Sequence, residues 1–481
     1  MFILSRREAL ASLAAGLAAT AAAPAPGSSA ALPPLFDLIE RDTFAYFRDT
    51  TNPVNGLAPD RWPSAPFASI AATGFALTAL PIGVSRGWIT REQARARTLA
   101  TLGFFWNAPQ GDARTGITGH KGFFYHFLDL ADGHRAGHCE LSSVDTALLL
   151  GGILFAGQWF DNAHPDEQEI RDLAARIYAR VDWRWMQARA PRIAMGWRPE
   201  GGFLSRDWTG YNEGMLIYIL ALGAPEHAVG PEAWPAWCAT YDASWRGEGA
   251  ARHLAFAPLF GHQYSHVWID FRGIRDNTMR EANLDYFQNS TRATYAQRAY
   301  ATRNPMGWDG YSADIWGLTA CDGPGPARIA IHGRERQTGG YSARGPIGFP
   351  DGFDDGTLAP TAAIASLPFA PEIVVPAAET LYRVHGARIY GRYGFVDSFN
   401  PTVRAPAMVS RSGTIDPVSG WTASDRVGID QGPILAMIAN ARDDGVWKTM
   451  RASPAIRRGL ARAGFVGGWL QPTQADDLRQ A

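Results

Sequence analysis

Thr146-Ala147-Leu148-Leu149-Leu150-Gly151-Gly152-Ile153-Leu154-Phe155-Ala156-Gly157-Gln158-Trp159-Phe160 is apolar almost all the way round a helical wheel. A helix without a polar face has to be surrounded by protein on every side. Residues 215–222, Met-Leu-Ile-Tyr-Ile-Leu-Ala-Leu, share that character, whereas residues 167–186 carry a single apolar stripe and belong at a surface. Further helical patterns at residues 35–48, 68–85, 90–105, 283–301 and 429–441 continue the alternation of buried with half-buried helices. Two concentric rings satisfy that alternation better than a flat bundle, so the expected fold is all-α, an (α/α) barrel. The long connections at residues 107–139, 187–212 and 303–359 are rich in Gly, Trp and Asp, and are expected to carry function and short β-hairpins.

Ser5-Arg6-Arg7 precedes an Ala/Leu-rich run through Ala23 and a Pro/Gly/Ser stretch ending at Ala30, the pattern of a signal peptide over residues 1–30. Paired arginines point to twin-arginine export and a periplasmic location. Residues 31–481 contain no low-complexity linker and are expected to form one domain. The 45 basic and 46 acidic residues are interspersed, so no basic stripe is available for phosphates and nucleic acid is excluded as a partner. No membrane span is expected in the mature chain. Cys139, Cys238 and Cys321 are too few and too scattered for a disulfide framework, though a single bridge stays open. The 17 Trp, 15 Tyr and 24 Phe often stand beside Gly, Asn, Asp or Arg, a pairing of flat apolar rings with hydrogen-bonding groups that suits an oligo- or polysaccharide.

Trp208-Thr209-Gly210-Tyr211-Asn212-Glu213 runs straight into the apolar 215–222 segment, which puts Glu213 at the start of an inner helix. Near Trp208 and Tyr211 a carboxyl group is partly stripped of water and its pKa rises toward that of a general acid, while the helix N-terminus pulls the other way. Ser142 and Asp145 fit a capping box at the entry to the other apolar helix, and an inner helix would aim Asp145 into the same barrel mouth. His262 and His266 stand four apart as in zinc hydrolases, but Gln263 replaces the glutamate those sites need, so neither metal nor cofactor is expected. Asp397, in Tyr393-Gly394-Phe395-Val396-Asp397-Ser398-Phe399-Asn400, and Asp430, in Ile429-Asp430-Gln431-Gly432-Pro433, put further carboxyls beside aromatics or at a helix start. Glycoside cleavage needs two carboxyl groups, one protonated and one ionised, so Asp145, Asp397 and Asp430 are each candidate partners for Glu213.

Five segments taken in order resemble the bacterial glucoamylase-like family, which includes the endo-β-1,2-glucanases. They are Val-Asp-Thr-Ala-Leu-Leu-Leu at 144–150, Gly-Tyr-Asn-Glu at 210–213, His-Gln-Tyr-Ser-His-Val-Trp-Ile-Asp-Phe-Arg-Gly-Ile-Arg-Asp at 262–276, Trp-Gly-Leu-Thr-Ala-Cys-Asp-Gly-Pro at 316–324 and Ile-Asp-Gln-Gly-Pro-Ile at 429–434. The resemblance implies an (α/α)6 barrel and inverting hydrolysis of β-1,2-glucan or its oligosaccharides. It matches Glu213 to the family's general acid and makes Asp397 the first choice of base, ahead of Asp430 and Asp145. The sugar-binding set is then Trp208, Tyr211, Asn212, His262, Gln263, His266, Trp268, Arg272, Trp308, Tyr311 and Trp316. The sequence departs from the family pattern at Asp145, where many relatives have glutamate, and at Gly310-Tyr311-Ser312-Ala313-Asp314, which leaves chain-length preference open. Competing functions are an α-glucan hydrolase or transglycosylase on the same barrel, a non-catalytic glucan-binding or maturation protein, and, given Arg272 and Arg275, a polysaccharide lyase.

Overall fold

The computed structural model describes residues 31–405 and 412–471; the expected export signal at residues 1–30 lies outside them. The helices run in chain order as α1 (Pro34–Thr50), α2 (Ile70–Ser85), α3 (Arg91–Asn107), α4 (Ser143–Trp159), α5 (Pro165–Ala179), α6 (Met215–Gly223), α7 (Ala233–Cys238) and α8 (Phe260–Trp268). They continue as α9 (Asn277–Glu281), α10 (Tyr286–Arg303), α11 (Pro360–Ile364), α12 (Pro371–Ile389), α13 (Gly428–Asp443), α14 (Trp447–Met450) and α15 (Pro454–Arg462).

Six of them form an inner ring. Helix α2 packs between α4 and α13, α4 meets α6, α6 meets α8, and α11 meets α13. The remaining step is closed by Gln263 of α8, whose Nε2 donates to the Ala362 carbonyl of α11 at 2.9 Å. Every residue of α6 and of α11 is buried, as are almost all of α2, α4 and α8. Helices α1, α3, α5, α10, α12 and α15 pack on the outside of that ring, completing an (α/α)6 barrel.

Close approach of the inner helices is obtained with glycine. A Cβ on Gly152 of α4 would lie 2.0 Å from the Gly74 carbonyl oxygen of α2, so the two backbones touch where a side chain would separate them. The same device seats α15 on α6, since a Cβ on Gly459 would lie 2.0 Å from the Ile219 carbonyl oxygen. Helix α15, absent from the expected helices, buries the stripe Ala455, Ile456, Gly459 and Leu460 and packs it on α6.

The segments that lead into the inner helices are tied together at one end of the ring. Arg61, ahead of α2, pairs with Val427, ahead of α13. Trp208, ahead of α6, donates through Nε1 to Ser143 Oγ at the start of α4, at 2.9 Å. Leu358, ahead of α11, exchanges backbone hydrogen bonds with Phe399. Short antiparallel pairs fill the long connections as expected, among them Leu141–Ser142 with Gly196–Arg198 and Ala320–Cys321 with Ser342–Ala343.

Among the helix bounds that differ from expectation, two change what the flanking residues do. The helix expected over 167–186 ends at Ala179, because Asp182 Oδ1 accepts the Trp185 N–H at 3.0 Å and the resulting turn buries Trp183 and Met186. Helix α6 starts at Met215, so Glu213 precedes it in a turn rather than opening its first turn. The three cysteines are free thiols.

Candidate active site

Glu213 lines a cleft of about 710 Å³ together with Trp208, Asn212, Arg189, Asp207 and Phe256. The turn that presents it is held at both ends. Asn212 Oδ1 accepts the Gly214 N–H at 2.8 Å, and Ser265 Oγ of α8 donates to the Glu213 carbonyl at 3.3 Å. Gly214 lies against the Trp208 ring, where a Cβ would stand 3.0 Å from Cε3. Of the carboxyl itself, Oε2 is buried without a hydrogen-bond partner among the described residues. Burial pushes its pKa up to about 7, its own backbone N–H resists, and Asp145 adds to the rise. The cleft arginines do not neutralise it: Arg189 is bound by Asp207 at 2.5 Å.

Asp145 combines two roles. Its backbone N–H donates to Ser142 Oγ at 3.2 Å, and its carboxylate accepts from the same hydroxyl at 2.5 Å, the expected cap of α4. Its other oxygen faces His126 Nε2 at 3.5 Å, while His126 Nδ1 lies 2.9 Å from Glu140. Burial draws the imidazole down, but Asp145 and Glu140 outweigh it and hold His126 at about 9. The hydrogen bond from His126 in turn keeps Glu140 at about 2.

A second carboxyl group of the site is a pair. Asp430, in the first turn of α13, is hydrogen-bonded to Asp397, and burial raises its pKa well above the usual carboxylate range, with Asp397 adding to the effect. Asp397 Oδ2 accepts the Asp322 N–H and the Ser398 hydroxyl, each at 2.7 Å. Two buried acids in contact share one proton, and these bonds leave it on Asp430. Arg61 supplies positive charge nearby, donating to Asp60 at 3.0 Å and to Asp322 at 2.8 Å. Burial and the neighbouring Asp397 still lift Asp322 to about 6.

Two tyrosines connect the Glu213 side with the Asp397 side. Tyr264 donates to the Ile429 carbonyl at 3.0 Å and lies within electrostatic reach of Asp430, Tyr341, Glu213 and Asp145. Tyr341 lies within reach of Asp397, Asp430 and Asp60. Among the described residues no three His, Cys, Asp or Glu side chains are grouped to hold a metal ion.

The structure thus brings Glu213, Asp145, Asp397 and Asp430 to the end of the barrel where the inner-helix entries meet. Trp208, Tyr211 and Asn212 line the Glu213 cleft, although Tyr211 is largely buried and its hydroxyl is 3.2 Å from Ser290 Oγ. Others of the expected sugar contacts are corrected to structural positions. His266 and Trp268 are fully shielded, with His266 Nε2 against Ser290 and the Trp268 N–H donated to Thr78. Gln263 is spent on α11, and His262 accepts the Phe256 N–H at 3.3 Å in a pocket where burial keeps it neutral. Arg272 lies at the opposite end of the ring, paired with Asp270 and Asp444 just past the C-termini of α8 and α13. Side chains in the later turns of an inner helix point into the barrel core, not its mouth. Trp308, Tyr311 and Trp316 are likewise buried, Tyr311 donating to Asp354 at 2.7 Å, and they brace the 303–359 connection.

Arg61, His126, Glu140, Asp322, Tyr264 and Tyr341 escaped the sequence reading. Asp322 and Tyr264 sit inside the distinctive 316–324 and 262–276 segments, which was the available signal. The others are single residues in loops.

A family model described as "Putative glucoamylase" matches residues 205–454. Among curated proteins the chain is similar to an exo β-1,2-glucooligosaccharide sophorohydrolase (non-reducing end) of Parabacteroides distasonis, 27% identical over 460 residues. The match covers 89% of this chain but 57% of that relative, so the chain spans little more than half the length of the curated protein it resembles. Among solved structures it is similar to a "putative glucoamylase" from Bacteroides uniformis, at 29% identity and a TM-score of 0.77, covering 91% of this chain and 98% of the other. It is also similar to an endo-β-1,2-glucanase from Chitinophaga pinensis in complex with sophorotriose and glucose, at 26% identity and a TM-score of 0.76, covering 92% and 100%.

Proposed function

Because this chain belongs to the glucoamylase-like family whose model spans Glu213, Asp397 and Asp430, we propose that it is a glycoside hydrolase that cleaves β-1,2-linked glucan or its oligosaccharides with inversion, after export to the periplasm. The observation that carries the proposal is a contrast of protonation. Glu213 lines a cleft, has its Oε2 buried without a partner among the described residues, and is raised to about 7, so it can hold a proton near neutrality. Asp397 accepts hydrogen bonds from two donors, while Asp430, raised by burial and by Asp397, keeps the proton of their pair. One neutral and one charged carboxyl function are what glycoside cleavage requires.

Glu213 gives its proton to the glycosidic oxygen as the bond from that oxygen to the anomeric carbon breaks. Water adds to the anomeric carbon from the opposite face, and its proton passes to Asp397, directly or through a substrate hydroxyl. Solvent then returns a proton to Glu213 and removes one from Asp397. The product carries a new hydroxyl with inverted configuration. The export component is supported by Ser5-Arg6-Arg7 and the apolar run behind it, and fractionation of cells making the full chain tests it.

Incubation with linear β-1,2-glucan, with starch as comparison, followed by chromatography and anomer-resolved NMR of fresh products, tests the activity. Release of inverted β-1,2-gluco-oligosaccharides is expected. Release from starch alone refutes the linkage, and retained configuration refutes inversion with Asp397 as base.

A further inference from the structure

Tyr341 is 54% accessible to water, although it stands beside the acids rather than at a remote loop tip. Its neighbour Ser342 pairs with Cys321, and the next residue, Asp322, donates its N–H to Asp397 Oδ2 at 2.7 Å. An open aromatic ring is thereby carried on a strand pair that abuts the Asp397–Asp430 carboxyls.

The ring is also rigidly held. Ser342, its neighbour, pairs antiparallel with Cys321. Arg344, fully buried, grips the equally buried Asp355 with two hydrogen bonds of 2.7 and 2.8 Å. Its other N–H groups donate to the carbonyls of Cys321 at 2.6 Å and Gly340 at 3.0 Å. Asp355 also accepts the Gly339 N–H at 2.9 Å. A buried ion pair recovers little of its desolvation cost as stability. This one fixes the 339–344 turn and, through Cys321, the strand that leads into Asp322. A preset aromatic group surrenders little conformational entropy when a ligand arrives.

We infer that Tyr341 is the stacking platform for a glucosyl unit bound directly above the Asp397–Asp430 carboxyl pair, with its phenol directed at that unit's hydroxyls. A pyranose offers an apolar C–H face to such a ring, and its hydroxyl rim is free to donate to the carboxylates below. The inference rests on the assignment of this cleft to a glucan.

The test is titration calorimetry of a short linear β-1,2-gluco-oligosaccharide into the Glu213→Gln protein, alone and combined with Tyr341→Ala or Tyr341→Phe. Loss of the ring is expected to weaken binding about tenfold or more, and loss of the hydroxyl alone by less than about threefold. Unchanged affinity in the Tyr341→Ala combination overturns the inference, and so does an equal loss with Phe and Ala. Thermal melts that match the Glu213→Gln parent establish that the exposed substitution leaves the fold intact. Cello- and malto-oligosaccharides titrated in parallel separate the two claims. If one of them binds and the β-1,2 sugar does not, the linkage proposal fails and the Tyr341 comparison is read on the sugar that binds. If none binds, both fail.

Discussion

Arg344 and Asp355 face each other in a two-pronged ion pair, at 2.7 and 2.8 Å, with both side chains fully shielded from water. Removing the cation strands a buried carboxylate, so Arg344→Met should cost about 3–5 kcal/mol of stability. Urea denaturation measures it. Arg344→Met combined with Asp355→Leu should regain most of that stability, yet bind oligosaccharide more weakly than the parent, because the Tyr341 turn is no longer fixed.

Glu213→Gln should lower kcat by about two to four orders of magnitude while sparing binding, since the amide cannot donate the proton. Equal turnover rules out its role as the acid. The wild type should also lose kcat/KM as pH rises through about 7, where the carboxyl ionises.

The same group gives a stability signature. Its folded-state value of about 7 lies above the ordinary 4.5, so the folded protein holds this proton more tightly than the unfolded chain. Stability from this group is therefore complete below about 4.5 and falls as pH rises through about 7. Glu213→Gln lacks that loss and should be more stable than the wild type by about 1–3 kcal/mol at about pH 8, with no such gain at about pH 4. Thermal melts across that range decide it.

Asp430 and Asp397 should respond differently to amide substitution. Asparagine at 430 resembles the protonated acid and still offers an N–H to Asp397, so Asp430→Asn should keep activity within about tenfold. Asp397→Asn removes the ionised partner and should lose about two to four orders of magnitude. Steady-state kinetics on one substrate, with the reverse ranking, would place the proton on the wrong member of the pair.

His126 is held at about 9, above its ordinary 6.5, because Asp145 and Glu140 outweigh its burial. Its contribution to stability is complete below about 6.5 and is lost as pH rises through about 9. His126→Gln should cost about 1–3 kcal/mol at about pH 6 and almost nothing at about pH 10. A penalty independent of pH would show that the ring only fills space.

The concentric helices were legible because the apolar pattern is local. Residues 146–160 and 215–222 have no polar face, and no other part of the chain is needed to see it. Glu213 was legible for the same reason, as the carboxyl just ahead of a wholly apolar helix. The side chains of α8 were misjudged: two histidines four apart mark one face of a helix, but not whether that face meets the cleft or the packed interior.

The sequence by itself determined which helices are inside, which loops are long and which acids stand at helix entries, since each depends on residues within a few turns of one another. Tertiary structure alone decided which acid keeps its proton. Arg61 reaches Asp322 across 261 residues of chain, and Asp397 is held by Asp322 and pressed against Asp430. Proton ownership in a low-dielectric site follows from the nearest charges and donors, and these come from segments that only folding brings together.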